Sequence, residues 1–172
     1  MTKIKDVNQG DLLTFINGEN KYKILLCTDV NKDRSPQNFT FCLLDYNKTE
    51  KPTLDDIEHL SFFGVGNMTK KNSYNYSEHE LEKMWSLHPE IKPCLLGSCS
   101  LVIWRKDFML FRDNLEFMGN LEILPNINKN GNCGINASNW DFLKSFHGEK
   151  LKKFIDENGQ KLFNLNAIAK AT

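Results

Sequence analysis

The feature that most constrains the fold is a series of three apolar runs within residues 11–44, separated by turn-forming residues. The first run, Asp11 to Ile16, is followed by Asn17-Gly18, the dipeptide that best tolerates the positive φ angles of a type I′ turn. The second run spans Tyr22 to Cys27, so these two runs predict a β-hairpin. The third run, Phe39 to Leu44, becomes apolar on both faces, as a central strand does. Together the runs predict an antiparallel meander of the kind found in a small, SH3-like, partly open barrel.

Two short patterns in the middle of the chain predict helices. Thr53, with Asp56 three residues later, fits a helix N-terminus, and we expect a short helix through Leu60. Ser77 and Glu80 form a similar capping box. The helix that they begin is expected to end before Pro89, because the residue preceding a proline avoids helical backbone angles.

The segment 138–157 predicts a third helical region. Ser138 to Asp141 fits a capping box, and Trp140, Leu143 and Phe146 recur at helical spacing. We therefore expect these three side chains to be buried against a sheet, with Gly148 dividing the helix in two.

The remaining apolar runs predict further strands. Residues 62–66 fit a short strand, and residues 99–123 fit two or three strands. In the second region we expect strands at 100–104, 108–111 and 116–123, although a helix over 108–118 fits the same residues. With three helices and these strands, the 172 residues are expected to form a single α+β domain over 1–172.

The composition narrows the class of protein. Hydrophobic residues make up 40% of the chain and charged residues 26%, which is typical of a folded globular domain. The 22 basic and 22 acidic residues cancel, which disfavours nucleic acid as a partner, because such binders carry a basic surplus. No run approaches a membrane span or a signal peptide, so we expect a cytoplasmic protein that does not bind membranes.

The residues do not assemble a recognisable catalytic or metal motif. His79-Glu80 resembles the start of a zinc-protease helix motif, but position 83 is lysine where the second histidine would stand. The cysteines are too widely spaced for a structural zinc site and are expected to be buried, reduced thiols. We therefore expect no catalytic residues, no metal and no cofactor, and a spatially assembled Cys–His pair stays open. The five cysteines are Cys27, Cys42, Cys94, Cys99 and Cys133.

An acidic stretch is the strongest candidate for a binding surface. Only Lys48 and Lys51 oppose its carboxylates, and an acid surplus of this kind steers a basic partner. A solvated loop followed by a helix N-terminus, which favours acidic residues, explains the same composition. The candidate partner-binding residues are Asp45, Glu50, Asp55, Asp56 and Glu58.

Several short motifs in the first third of the chain resemble the opening of the immunity protein 26 family of bacterial polymorphic toxin systems. The middle of the chain differs, since Trp104 is followed by Arg105-Lys106 where that family has a nearby glycine. The resemblance implies a stoichiometric inhibitor that neutralises a cognate protein toxin by surface complementarity. A small-barrel reader of peptide or nucleic acid, and an enzyme without a recognisable motif, remain alternatives. The matching motifs are Gly10-Asp11-Leu12-Leu13, Tyr22, Phe39-x-Phe41-x-x-Leu44-Asp45-Tyr46 and Pro52-x-Leu54-Asp55-Asp56-Ile57.

Overall fold

The computed structural model describes residues 3–68, 78–87, 89, 92, 95–124, 135–158 and 160–172. The described strands are β1 (Asp11–Ile16), β2 (Tyr22–Lys32), β3 (Pro36–Leu43), β4 (Ser61–Met68), β5 (Leu95–Ser98), β6 (Ser100–Trp104), β7 (Glu116–Ile123), β8 (Ile135–Asn136), β9 (Lys161–Asn164) and β10 (Ala169–Ala171). The described helices are α1 (Leu54–Ile57), α2 (Glu78–Leu87), α3 (Arg105–Phe111), α4 (Trp140–Ser145) and α5 (Leu151–Glu157).

The described strands form two sheets. Seven of them follow the order β10-β7-β1-β2-β3-β6-β8, and the other three follow the order β5-β4-β9. Every pair in the larger sheet is antiparallel except the short β6–β8 pair. The two end strands of this order, β10 and β8, do not pair with each other, so the larger sheet is open. The predicted α+β class and the β1–β2–β3 meander are confirmed.

The hairpin is where the sequence places it, but its turn is not the predicted one. Positive φ occurs at Asn20 (57°) and not at Asn17 or Gly18, so the turn is not type I′. Five residues, 17–21, connect the strands, because Ile16 pairs with Tyr22. The Asn17 side chain organises this loop: its Oδ1 accepts hydrogen bonds from Glu19 N (3.0 Å) and Lys21 N (2.9 Å).

The central strands of the larger sheet, β1 to β3, are buried on both faces, as the apolar third run predicts. On one face, Phe39 and Phe41 pack with Phe108 of α3; the Phe39 and Phe108 rings meet edge to face, with centroids 5.3 Å apart. On the other face, Leu12 and Leu26 pack in a second core. Each fully buried side chain of this size contributes about 1.5–3 kcal/mol, so neither face can be exposed without large loss. The second core is closed by Ile57, Leu60, Phe62, Leu165 and Ile168.

The predicted strand at 108–111 is wrong. Residues 105–111 form α3, and the chain returns to strand only at Glu116. A helix places Phe108 and Phe111, three residues apart, on the same buried side, whereas Leu110 is 84% exposed. A strand would have turned Phe108 and Phe111 to opposite faces, whereas both pack into the same core cluster.

The helical region predicted at 138–157 is confirmed, and so is its division into two helices near Gly148. Helix α4 ends at Ser145, the backbone leaves helical angles at His147 and Gly148, and α5 follows. Leu143 and Phe146 are buried as expected, while Trp140 is half-buried with its ring edge-on to Phe15.

The N-cap of this region is one residue later than predicted. It is Asn139, whose side chain accepts a hydrogen bond from Phe142 N at 2.8 Å, and not Ser138.

The other predicted elements stand as follows. Helix α1 carries the Thr53–Asp56 capping box but ends at Ile57, not at Leu60. Strand β4 covers the strand predicted at 62–66, and α2 ends two residues before Pro89. Ser77, the first residue of the second predicted capping box, lies outside the described residues.

Candidate binding surface

The predicted acidic residues lie on the segment that leaves β3 and leads into α1. Asp45, Glu50, Asp55 and Glu58 are exposed, whereas Asp56 is half-buried. The structure therefore separates one carboxylate of the predicted set from the other four.

The backbone that carries these acids is held in place. Asp45 N donates to Ser61 O at 2.8 Å, and Tyr22 N donates to Lys48 O at 2.8 Å. Tyr46 is only 2% exposed, and its hydroxyl donates to Glu50 O at 3.0 Å. The segment is thus tied to β2 and β4, and its carboxylates project from an ordered backbone.

Asp56 has a structural role. Its Oδ2 accepts hydrogen bonds from Thr53 N (2.8 Å) and Thr53 Oγ1 (3.0 Å), which caps α1. Its Oδ1 lies 3.7 Å from Lys48 Nζ. The backbone and hydroxyl hydrogen bonds from Thr53 hold the pKa of Asp56 below its usual value. We therefore remove Asp56 from the residues offered to a partner.

The two lysines of the segment are engaged with other groups. Lys51 Nζ lies 2.5 Å from Glu116 Oε1, and this hydrogen bond raises the pKa of the lysine. Lys48 pairs with Asp56 and lies over the Tyr46 ring. In the part of the chain that the structure describes, no ion pair involves the remaining acids. Those acids are Asp45, Glu50, Asp55 and Glu58.

Asp55 and Glu58 border a groove of about 910 Å³. One wall is α1, the other is the β7–β10 edge of the larger sheet together with the 3₁₀ turn at Leu165–Ala167. Leu54 is 57% exposed on this groove and packs over Gly119, where an added Cβ would come within 3.0 Å of Leu54 Cδ2. An apolar side chain flanked by two carboxylates suits a basic segment with an apolar residue.

Asp45 borders a different, smaller cavity of about 350 Å³. Lys23 of β2 lies in its lining and is 9% exposed. The structure therefore does not gather the predicted acids into one place: Asp55 and Glu58 share the groove, and Asp45 belongs to the cavity.

Lys23 is the residue that the sequence reasoning missed. In β2 it pairs with Phe15 of β1 and occupies the same face as Leu25 and Cys27. The signal was present as a lysine at an inward position of an otherwise apolar strand, because side chains two residues apart in a strand share a face. Burial lowers the pKa of Lys23, and nearby Glu19 opposes that effect.

His147, at the helix break, is also buried and was not predicted. Its Nδ1 lies 2.8 Å from Leu143 O, so Nδ1 carries the proton, and Nε2 has no hydrogen-bond partner among the described residues. Burial lowers the pKa of His147 to about 4; the Leu143 hydrogen bond opposes this, and Lys23 adds to it. The imidazole is therefore neutral at pH 7 and packs edge-on against Phe15, with ring centroids 5.1 Å apart.

The described cysteines lie in the core. Cys27, Cys42 and Cys99 are buried, and burial raises the pKa of Cys27 above its usual value. Cys94 and Cys133 lie outside the described residues. Within the described ranges, no three His, Cys, Asp or Glu side chains are grouped as a metal site would require. Those ranges also contain no helix that is long and apolar enough to span a membrane.

The chain matches no family model, no curated protein and no solved structure.

Proposed function

We propose that the protein is a non-catalytic protein-binding module that neutralises a cognate bacterial toxin by stoichiometric binding. The observation that carries this proposal is the set of exposed carboxylates at Asp45, Glu50, Asp55 and Glu58, which make no ion pair within the described part of the chain. The resemblance of residues 10–57 to an immunity family points to the same class.

The groove between α1 and β10 is the proposed contact surface. Asp55 and Glu58 supply negative charge at its wall, and Leu54 supplies an apolar contact. A toxin whose active-site face is basic is attracted by this charge before contact, which speeds association. The apolar contact then slows dissociation, since the desolvated centre of an interface carries most of its binding energy.

Co-expression with the product of the neighbouring large open reading frame tests the proposal. We expect that protein to arrest growth when expressed alone, and growth to resume when this chain is present. A pull-down should recover the two proteins in equal amounts. A neighbour that is not toxic, or toxicity that persists in the presence of this chain, would contradict the proposal.

Charge reversal locates the surface. The double variant Asp55→Lys/Glu58→Lys should slow association about ten-fold or more at low ionic strength, with a smaller effect as salt rises. The control is Asp33→Lys/Glu82→Lys, which makes the same change in net charge at two exposed positions away from the groove. Asp33 lies in the β2–β3 turn, at the opposite end of β3 from Asp45. Equal slowing by both double variants would show that only net charge matters and that the groove is not the contact surface.

A further inference from the structure

The smaller cavity lies outside the proposed contact surface and shares no lining residue with the groove. It lies where β2, the end of β3 and β4 meet α5, and its apolar lining comes from Leu44, Phe63, Leu151 and Ile155. Its volume of about 350 Å³ falls within the range of small-molecule sites. The charged residues of the lining are Lys23, Lys152, Glu19, Asp45, Glu149 and Asp156.

Lys23 is the residue of the cavity that indicates a ligand. The residue is 9% exposed, and within the described part of the chain its ammonium makes one hydrogen bond, from Nζ to Asn47 Oδ1 at 2.9 Å. An ammonium carries three donors, and lysine is rarely buried unless it is paired. Two donors therefore remain for oxygen atoms of a molecule in the cavity.

The surrounding carboxylates decide what kind of molecule that is. Four acidic and two basic side chains line the cavity, so a simple anion would be repelled. A molecule that carries both a carboxylate and more than one positive charge can pair with the basic and with the acidic side chains of the lining. Its carboxylate would accept from Lys23, and its cationic groups would face the acids at the rim.

Glu19 shows that one of these acids is held in position. Its Oε1 accepts a hydrogen bond from Glu149 N at 3.1 Å. Gly148 makes this approach possible, because a Cβ at position 148 would lie 2.2 Å from Glu19 Oε1. The helix break thus brings a carboxylate of the β1–β2 loop to the edge of the cavity.

We infer that the cavity around Lys23 binds a free basic amino acid, such as lysine or arginine. The α-carboxylate pairs with Lys23, the aliphatic stem lies against the apolar lining, and the two cationic groups face Asp45 and Asp156. This inference does not depend on a toxin partner, and failure of either proposal leaves the other standing.

Amide NMR titration of the full chain tests the inference with four probes: L-lysine, L-arginine, norleucine and cadaverine. Norleucine lacks the side-chain ammonium, and cadaverine lacks the carboxylate. We expect saturable chemical-shift changes with lysine or arginine at residues around the cavity. The affinity for norleucine and for cadaverine should be lower by a factor of about ten or more. No saturable binding of either basic amino acid, or shifts confined to the groove between α1 and β10, would overturn the inference.

Three variants assign the contacts. Lys23→Met should reduce the affinity for lysine to that for cadaverine while leaving cadaverine binding unchanged, because only the carboxylate contact is lost. Lys21→Met, at the neighbouring lysine outside the cavity lining, is the matched control and should bind as the wild type does. Asp156→Asn lies at the exposed rim and should weaken lysine and cadaverine alike, which keeps the test decisive if Lys23→Met does not fold. Unchanged lysine affinity in both Lys23→Met and Asp156→Asn would also refute the site.

Discussion

Asn17 and His147 are far apart in the chain and are joined by one hydrogen bond. Asn17 Nδ2 donates to His147 O at 2.6 Å, while its Oδ1 accepts from two backbone amides of its own loop. Asn17 is only 3% exposed, so none of these groups can turn to water instead. One amide side chain therefore both shapes the β1–β2 loop and attaches it to the helix break.

Replacing that amide should be costly. We expect Asn17→Ala to lower the free energy of unfolding by about 2 kcal/mol or more, because it leaves the buried carbonyl of His147 and two part-buried loop amides without their partner. Asn114→Ala is the control, since Asn114 is exposed and its side-chain amide donates to Phe111 O at 3.2 Å. That variant should change stability by about 0.5 kcal/mol or less in the same urea titration. Similar losses in the two variants would contradict the role given to Asn17.

His147 should make stability depend on pH. Its folded pKa of about 4 lies below the ordinary value of 6.5, so the unfolded chain binds the proton more tightly. The stabilisation is complete above pH 6.5 and is lost as pH falls toward 4. Between pH 7.5 and pH 5 the wild type should lose about 2 kcal/mol more than His147→Phe, which cannot titrate. Urea unfolding at the two pH values measures this difference, and parallel losses would show that His147 is not the titrating group.

At the scale of elements, local patterns predicted most of the structure. The β1–β2–β3 meander, the Thr53–Asp56 cap and the break at Gly148 each depend on residues close together in sequence. The turn type was mispredicted because Asn17 is drawn to a partner 130 residues away, which the dipeptide Asn-Gly cannot reveal. A strand at 108–111 and a helix over 108–118 both fitted the sequence, because an unbroken apolar run has no period, and only the position of the core decides between the two.

The candidate sites were predictable to a smaller extent. Charge alone indicated Asp45, Glu50, Asp55, Asp56 and Glu58 as candidate partner-binding residues, and it could not show which of them are exposed. The capping pattern placed Asp56 at the start of α1, but it could not show the pair with Lys48, because that pair depends on side-chain geometry. Neither cavity is local: the smaller one needs β2 and α5, and the groove needs α1 and β10.

Gly10 connects three strands, and this should be visible in stability. Gly10 N donates to Cys27 O of β2 at 2.7 Å, and its carbonyl accepts from Leu121 N of β7 at 2.9 Å. Its φ is +92°, and an added Cβ would lie 1.9 Å from Leu121 O. We expect Gly10→Ala to cost about 2–4 kcal/mol, because both the backbone angle and the contact forbid a side chain.

Gly18→Ala is the matched control for Gly10→Ala. At Gly18 an added Cβ would find its nearest neighbour, Lys144 O, at 3.9 Å, which is ordinary contact. Thermal or urea unfolding should show a change within about 0.5 kcal/mol for this variant. If Gly10→Ala were equally mild, the close approach of β7 to Gly10 would be wrong.

At the scale of the whole molecule, the chain has zero formal net charge but an uneven distribution of it. The segment from Asp45 to Glu58 keeps exposed acids while its two lysines are engaged with Asp56 and Glu116. The charge that would guide a partner is therefore separate from the charge that stabilises the fold.

This separation predicts different effects on melting. Asp55→Lys/Glu58→Lys should shift the melting temperature by about 2 °C or less, because exposed charges contribute little to stability. Asp56→Lys should lower it clearly further, since it removes the α1 cap and places a lysine beside Lys48. Differential scanning calorimetry distinguishes the two, and an equal effect of both would contradict the separation of roles.

The pairing of β1 with β7 bears on how the chain reaches its fold. Asp11 pairs with Asn120, and Ser61 of the smaller sheet pairs with Asn164, so both sheets are completed by strands about a hundred residues distant. The β1–β2–β3 meander can form early because its turns are short. Its β1 edge then stays unpaired until β7 forms and pairs with it. During that interval the unpaired edge can pair with the same edge of another chain. Refolding should therefore be slow, on a scale of about milliseconds to seconds, and its yield should fall as protein concentration rises.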